Sequence, residues 1–514
     1  MGLGERTWGA SPTKWGGVMR ILKTMLLAGG VIFAIASVAS AADLPTKKDA
    51  TPPPVTNCFA TFYTWLDSTP AACPLSAFGV TVYGALDTGV GYATAGSKFN
   101  PDYNNGVFEV VNKMSYHQGF QPLPNGLSQS NLGVKWKEQI VPNWYVIGDV
   151  DFGFDPYSLH FASGPTSLVN NNFNTLANQT TSTDSSRTYG PINNRAFAGV
   201  TNAVFGTLTV GRQNSFSNDM ASVYDPTGGA YAYSLIGTSS AVLSGTGDTE
   251  LARYSTSIKY QLTYNNFRAG ILSQLGGWDT GNNAQQAYEG DVGFDYAGFS
   301  LDAIYQHAED VFSLASFGGA AIPKGDPADT LKVTLENIDA VAVAGVYNWQ
   351  ALRFYSGYLF SNVSNPTNSY GATATKTGDF FDHVNGGYPG VVQALAFPND
   401  KHLQTVWEGV KYAVRPDLDL ASGYYHEWQN NYSAAGTNCG PNKTAAAKGF
   451  SPQGAANAAC AGTTDVISGM IDYRPVKRVD LYGGVMYSVV AGGMANGFLK
   501  SVNLEPSAGV RVSF

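Results

Sequence analysis

Charge is scarce in this chain. Only 13% of its 514 residues are Asp, Glu, Lys or Arg, about half the roughly 25% of an ordinary soluble domain, so a charge-studded soluble surface is not on offer. Long apolar runs are scarcer still: one stretch, Met25 to Val38, stands alone, and a mean hydropathy of −0.10 excludes a polytopic helical membrane protein. No run of Lys or Arg exists to neutralise phosphates, and the net charge of −8 with a pI near 5.3 argues against a nucleic-acid partner. Six scattered histidines show no HExxH spacing, and no Gly-x-Ser-x-Gly elbow occurs, so the common hydrolase signatures are missing. What is abundant is glycine, 59 residues, and Tyr plus Phe, 56. No Gly-X-Y period runs through them, so collagen is excluded.

Arg20 and Lys23 precede the apolar run, and Ala39-Ser40-Ala41 supplies the small residues of a cleavage site. Residues 1–41 therefore read as a signal peptide, with 1–18 outside any targeting pattern and Met19 a competing start; a signal anchor is the alternative reading. Removing those residues takes four bases and one acid from 30 and 38, leaving 26 and 37, a net −11. The four cysteines fall as close pairs, Cys58 with Cys73 and Cys439 with Cys460. In an exported chain two local disulfides are expected, whereas zinc would need tighter spacing and histidine partners.

From about Phe78 the sequence alternates with period two. In Arg253 to Tyr264 the residues Tyr254, Thr256, Ile258, Tyr260, Leu262 and Tyr264 interleave with Arg253, Ser255, Ser257, Lys259, Gln261 and Thr263, one face mostly apolar and the other wholly polar. Segments of this kind lie near 79–95, 127–139, 143–155, 193–204, 207–214, 251–264, 267–276, 285–297, 299–309, 338–348, 351–362, 402–414, 418–429, 464–474, 479–490 and 504–514. That is sixteen, with eighteen the nearest competitor. Short connections such as Asn265-Asn266, Ala297-Gly298 and Pro475-Val476 alternate with long ones rich in Gly, Asn, Ser and Pro. This is the rhythm of an all-β, transmembrane, antiparallel up-and-down barrel with short periplasmic turns and long external loops. Trp136, Trp144, Trp278, Trp349, Trp407 and Trp428 fall near expected strand ends, where indoles suit the headgroup level. Residues 42–77 read as a periplasmic extension and 78–514 as the barrel domain.

Val82-Tyr83-Gly84-Ala85-Leu86-Asp87, Ser130-Asn131-Leu132-Gly133-Val134-Lys135, Phe205-Gly206-Thr207-Leu208-Thr209-Val210-Gly211-Arg212-Gln213 and the closing Ser507 to Phe514 resemble, in order and spacing, the general porins of Gram-negative outer membranes, in their alpha-proteobacterial form. The resemblance implies a homotrimer of sixteen-stranded barrels in the outer membrane, among lipid and lipopolysaccharide, each with a water-filled channel for small hydrophilic solutes and no cofactor. It also implies a third loop, here Asn214 to Glu250, folded into the lumen with acids facing a basic ladder on the wall. Asp219 and Asp225 are the expected acids, and Lys135, Arg212, Arg253 and Lys259 the expected bases. Lys259 shares the strand parity of Arg253. Arg195 stands one residue later than the pattern's arginine, which would turn it to lipid unless a bulge or rim position intervenes. Asp225-Pro226-Thr227-Gly228-Gly229 replaces the Pro-Glu-Phe-Gly-Gly of enteric members and drops one acid. Phe514, with Val512 and Val510, resembles the signal read by the outer-membrane assembly machinery. A substrate-specific porin for sugars or anions stays open through Tyr224, Tyr231 and Tyr233, and an outer-membrane barrel enzyme is the remoter alternative.

Overall fold

In a computed structural model the described residues are 57–96, 99, 111, 117–159, 194–237, 252–277, 284–315, 331–365, 367, 399–432, 460–495 and 500–514. The signal-peptide reading, Cys439 and Trp278 lie outside them.

Eighteen strand segments join in one antiparallel sheet. Sixteen strands make its wall: β1 (Val80–Gly96), β2 (in two pieces, His117–Pro124 and Ser130–Val141), β3 (Trp144–Phe154), β4 (Arg195–Asn202), β5 (Gly206–Asn214), β6 (Arg253–Tyr264), β7 (Phe267–Gln274), β8 (Gln286–Tyr296), β9 (Phe299–Ala315), β10 (Leu331–Trp349), β11 (Leu352–Ser364), β12 (Lys401–Arg415), β13 (Leu418–Gln429), β14 (Gly462–Val476), β15 (Val479–Gly492) and β16 (Val502–Ser513). Each pairs with the next, and β16 pairs with β1 from Ser507 opposite Gly91 to Ser513 opposite Ala85. The ring is closed, so no strand edge is left to face lipid.

Alternation decides which side chains face out. On β7 and β8, Phe267, Ile271, Val292, Phe294 and Tyr296 are exposed on the outer face, while Glu289 between them is fully buried on the inner one. Turns of two residues, three between β4 and β5, close the periplasmic end. At Ala297-Gly298 both residues have positive φ, 49° and 88°, as a tight primed hairpin turn requires. Near these turns Trp144 stacks on Phe205 at 5.9 Å and Phe299 on Tyr347 at 4.2 Å. At the other end of the wall Tyr305 donates to Asp339 at 2.8 Å and Tyr424 to Asp465 at 2.7 Å. These form two aromatic girdles.

Three strand expectations shift. The first piece of β2 carries Pro122 and Pro124, residues that hide a strand from pattern reading; the break between the pieces is stitched by the Asp87 carboxylate, which accepts from Leu127 and Ser128 N–H at 2.8 and 3.0 Å. β9 and β10 run beyond 309 and begin before 338, because a bulge with Asp310 at φ 52° breaks the register after Ala308 and with it the period-two signal. The last short turn lies at Lys477-Arg478 rather than Pro475-Val476.

Ahead of the barrel, α1 (Phe62–Leu66) lies in a loop closed by the Cys58–Cys73 disulfide, and the short strand Leu75–Ala77 that follows pairs with the start of β1. Arg478, at the turn between β14 and β15, is buried in that loop. Its guanidinium lies 4.3 Å from the Trp65 ring centroid and donates to the carbonyls of Trp65, Thr69 and Cys73 at 2.8, 3.3 and 2.5 Å. Cys460 is buried and disulfide-bonded.

Candidate functional site

The residues after β5 turn inward. Ser215 caps a helix, α2 (Phe216–Tyr224), its hydroxyl accepting from Asn218 N–H at 3.0 Å; Asp225 before Pro226 is forced into extended backbone, φ −92° and ψ 136°, and the helix stops there. Its buried face, Phe216, Met220, Ala221 and Tyr224, packs on the small inner side chains of β10, Ala340, Ala342 and Ala344, and on Leu359 of β11. The alanine row lets the helix lie close to the wall.

The wall anchors this loop at each step. Glu289 of β8 accepts from Phe216 N–H at 2.6 Å and from the Ser217 hydroxyl at 2.8 Å, setting a carboxylate at the positive end of α2. The Tyr224 hydroxyl donates to Asp302 of β9 at 2.8 Å and accepts from Arg268 of β7 at 3.1 Å. The Trp407 indole of β12 donates to the Tyr224 carbonyl at 2.9 Å. Trp407 is thus not a girdle residue: it faces inward and is 1% exposed. Further on, the Tyr233 hydroxyl donates to the Ser507 carbonyl of β16 at 3.2 Å, and Ala232 N–H donates to Gly126 O in the break of β2 at 2.9 Å. Glycines mark the close approaches. A Cβ at Gly270 would meet Phe216 at 2.4 Å, one at Gly409 Pro226 at 2.4 Å, and one at Gly484 Tyr233 at 2.8 Å. The described part of the loop, to Gly237, therefore lines the inner wall from β7 round to β16 and the break in β2.

On this frame the expected acids are placed unlike one another. Asp219, in the first turn of α2, accepts from Lys259 Nζ at 3.0 Å and from Asn214 Nδ2 at 3.0 Å. Asp225 is 1% exposed. Its carboxylate accepts from Thr227 N–H, Gly229 N–H, the hydroxyls of Thr227 and Ser234, and the Tyr425 hydroxyl of β13 at 2.5 Å. It is an internal tie of the loop, not a group presented to the channel. Burial pushes its carboxyl above the usual carboxylate range, against the pull of those hydrogen bonds.

The expected bases also separate. Lys259 is brought to Asp219, lies 4.2 Å from the Phe216 ring centroid and is buried, so it pins the helix. Arg253 does not share its parity. Between Gly211/Ser257 and Gln213/Tyr254 the ladder shifts register, with Thr256 at φ 48°, and Tyr254 takes the inner side, its hydroxyl accepting from Gln306 at 2.7 Å. Arg212 lies within the same register shift, is buried and donates to the Ser255 hydroxyl at 2.7 Å. Lys135 is exposed on the inner face, 5.1 Å from the Tyr83 ring centroid.

Arg195 turns inward after all. β4 pairs it directly with Asp151, and its guanidinium reaches Asp151 at 3.1 Å, Asp149 at 3.4 Å and the Tyr83 hydroxyl at 2.9 Å. Tyr83 itself donates to Asp149 at 2.6 Å. Asp149 and Asp151 were missed by sequence reasoning, though their i, i+2 spacing on β3 puts both carboxylates on one face. Glu289, Trp407 and Tyr425, the wall anchors, carried no local signal. Phe514 closes the seam: its N–H donates to Gly84 O at 2.9 Å and its carbonyl accepts from Gly84 N–H at 3.1 Å.

Among the described residues no group of His, Cys, Asp and Glu is arranged to hold a metal. The arrangement offers a walled, water-accessible passage with an inserted loop, which acts by size and field.

A model of the Gram-negative porin family matches residues 27–490. No curated protein sequence matches. Among solved structures, the anion-selective porin from Comamonas acidovorans superposes with a TM-score of 0.51 at 14% identity, over 85% of this chain and 99% of that one. OmpT, an outer membrane protein of Vibrio cholerae, gives 0.49 at 13%, over 86% and 99%. Salmonella typhi OmpF, in complex with daunomycin, gives 0.46 at 13%, over 85% and 97%. Closed barrel, inward loop and family match agree, and the chain belongs to the Gram-negative porins, channels of the outer membrane.

Proposed function

We propose that the protein is a general diffusion porin: an open channel for small hydrophilic solutes and ions, working without catalysis. The observation that carries this reading is the inserted loop, tied to the inner wall of a closed barrel from β7 round to β16 and the break in β2, which narrows the lumen. Its constriction is formed by the free face of α2 and the following turn on one bank, and by Tyr83, Lys135, Asp149, Asp151 and Arg195 on the other. A homotrimer among outer-leaflet lipopolysaccharide is the working assembly, with the terminal Phe514 as the feature recognised by the assembly machinery; a solved Vibrio cholerae OmpT is described in a trimer form.

Single-channel recording of the purified protein in a planar bilayer tests the reading. Stable conductance steps arriving in threes are expected. A folded, heat-modifiable barrel that passes no current would overturn it and turn the search to a closed transporter or an enzyme.

A further inference from the structure

Two segments share one edge of β1. β16 pairs with it from Gly91 down to Ala85, and Phe514 exchanges backbone hydrogen bonds with Gly84. Where that strand runs out, the short strand Leu75–Ala77 takes over the same edge, from Leu75 opposite Val82 to Ala77 opposite Val80. The other edge at these positions belongs to β2, with Val134 opposite Val82 and Trp136 opposite Val80. The segment ahead of the barrel thus abuts the seam where the wall closes.

Arg478 ties that segment to the seam a second time. Its backbone N–H donates to the Leu66 carbonyl at 3.2 Å, and its carbonyl accepts from Ser513 N–H of β16 at 2.9 Å. Its side chain is buried with the carbonyls of Trp65, Thr69 and Cys73 as acceptors, while Nη1 has no hydrogen-bond partner. A buried guanidinium held by neutral carbonyls, with one nitrogen unmatched, is a seat of small net worth. It persists because its acceptors are already converged. Trp65, Thr69 and Cys73 all belong to the ring that Cys58 and Cys73 close over a separation of 15 residues, and the disulfide removes the chain freedom that would scatter them.

We propose that the Cys58–Cys73 loop is a redox-sensitive latch on the barrel seam. While the disulfide stands, the loop grips Arg478 and through it β16; reduction frees the grip, and β16 parts from β1 faster. Cys73 is buried and Cys58 half-buried, so a small dithiol reaches the bond from the Cys58 side. One thiolate of the dithiol attacks the Cys58 sulfur, the S–S bond breaks, and Cys73 leaves as a thiolate. The dithiol's second thiolate then attacks its own sulfur in the mixed disulfide, releasing Cys58 and closing a cyclic disulfide. Two electrons pass to the protein, and the two protons of the dithiol end on Cys58 and Cys73.

The test starts from the assembled full-length protein in detergent, so no variant has to fold first. On addition of dithiothreitol, loss of the heat-modifiable form at a fixed high temperature should become about ten-fold faster, the effect of one charge-assisted hydrogen bond that is made in the closed barrel and lost on opening. Hydrogen exchange should place the opening: the amides of Gly84, Ser513 and Phe514 exchange faster after reduction, and those of the β7–β8 ladder do not. Dithiothreitol also meets the disulfide at Cys460, so Cys58→Ser with Cys73→Ser assigns the effect. That double variant should reproduce both changes, and neither dithiothreitol nor Arg478→Gln should add to them. If it fails to assemble, Arg478→Gln alone takes its place, with a rate that dithiothreitol leaves unchanged. An unaltered wild-type rate on reduction, exchange that rises evenly round the barrel, or a variant that dithiothreitol accelerates as much as wild type would overturn the proposal.

Discussion

The indole nitrogen of Trp407, on β12, donates to the backbone carbonyl of Tyr224, the last residue of α2, at 2.9 Å. A helix's final carbonyls have no partner within the helix, and here the barrel wall supplies one. The same ring fills the space above Gly357, where a Cβ would stand 2.0 Å from it.

Trp407→Phe should keep most of the packing and lose only the hydrogen bond, a cost of about 1 kcal/mol. Trp407→Ala should cost roughly 3–5 kcal/mol and release the loop's midpoint. Open-channel noise checks this: near wild type for Phe, with flickering partial closures for Ala.

Glu289 holds the other end of α2. Glu289→Gln still offers one acceptor to Phe216 N–H but gives up the charge, and Glu289→Ala leaves three donors, Phe216 N–H, the Ser217 hydroxyl and the Gln306 amide, without their buried partner. Losing such a partner costs about 1–3 kcal/mol per buried group. Protease cleavage within the loop in detergent-solubilised trimer or monomer should rise in the order wild type, Gln, Ala.

Asp225 gives a pH dependence with a defined sign. Its carboxyl lies above the ordinary carboxylate range in the folded state, so folding favours its protonated form. The stability this contributes is fully present below the unfolded carboxylate value and is lost as pH rises through the raised folded value. Asp225→Asn should remove that slope while keeping the loop in place, because the Tyr425 and Ser234 hydroxyls can reverse and accept from the new amide. Asp225→Ala should loosen the loop at every pH. Thermal unfolding of the three proteins at pH 3 to 8 decides it.

Gly409 gives the steric test. Any Cβ there meets Pro226 Cγ and the Ser422 carbonyl, both at 2.4 Å, so Gly409→Val should push the Pro226 turn off the wall and into the passage. Single-channel conductance should fall while heat-modifiable mobility of the barrel stays unchanged.

Much of this architecture is legible in sequence because a barrel strand writes its environment in a two-residue period. Arg253 to Tyr264 shows the strength and the weakness of that signal. The greasy and polar faces are evident, yet the bulge at Thr256 reverses the facing of everything before it, so Tyr254 and not Arg253 joins Lys259 inside. The same limit hid the far halves of β9 and β10 beyond Asp310. The loop is harder still. That Asp219 would meet Lys259 follows from proximity in the fold, but the partners of Asp225 come from Thr227, Ser234 and the distant Tyr425, and nothing local in the sequence distinguishes an acid that faces water from one that ties a turn. Trp407 reads as an interfacial indole because its strand position is right; only the neighbouring Gly357, which makes room for an inward ring, tells otherwise.

Arg478 serves both ends of the chain. Its side chain is wrapped by the disulfide-closed loop that precedes β1, while its carbonyl accepts from Ser513 N–H of β16 at 2.9 Å. That turn exists only once the β14–β15 hairpin has formed, late in any assembly that proceeds along the chain, and the Ser513 bond exists only once β16 has docked. The N-terminal loop, translated before the barrel, therefore gains its contacts with Arg478 only when the β14–β15 hairpin arrives, and its clamping is bound in time to the joining of the first strand with the last.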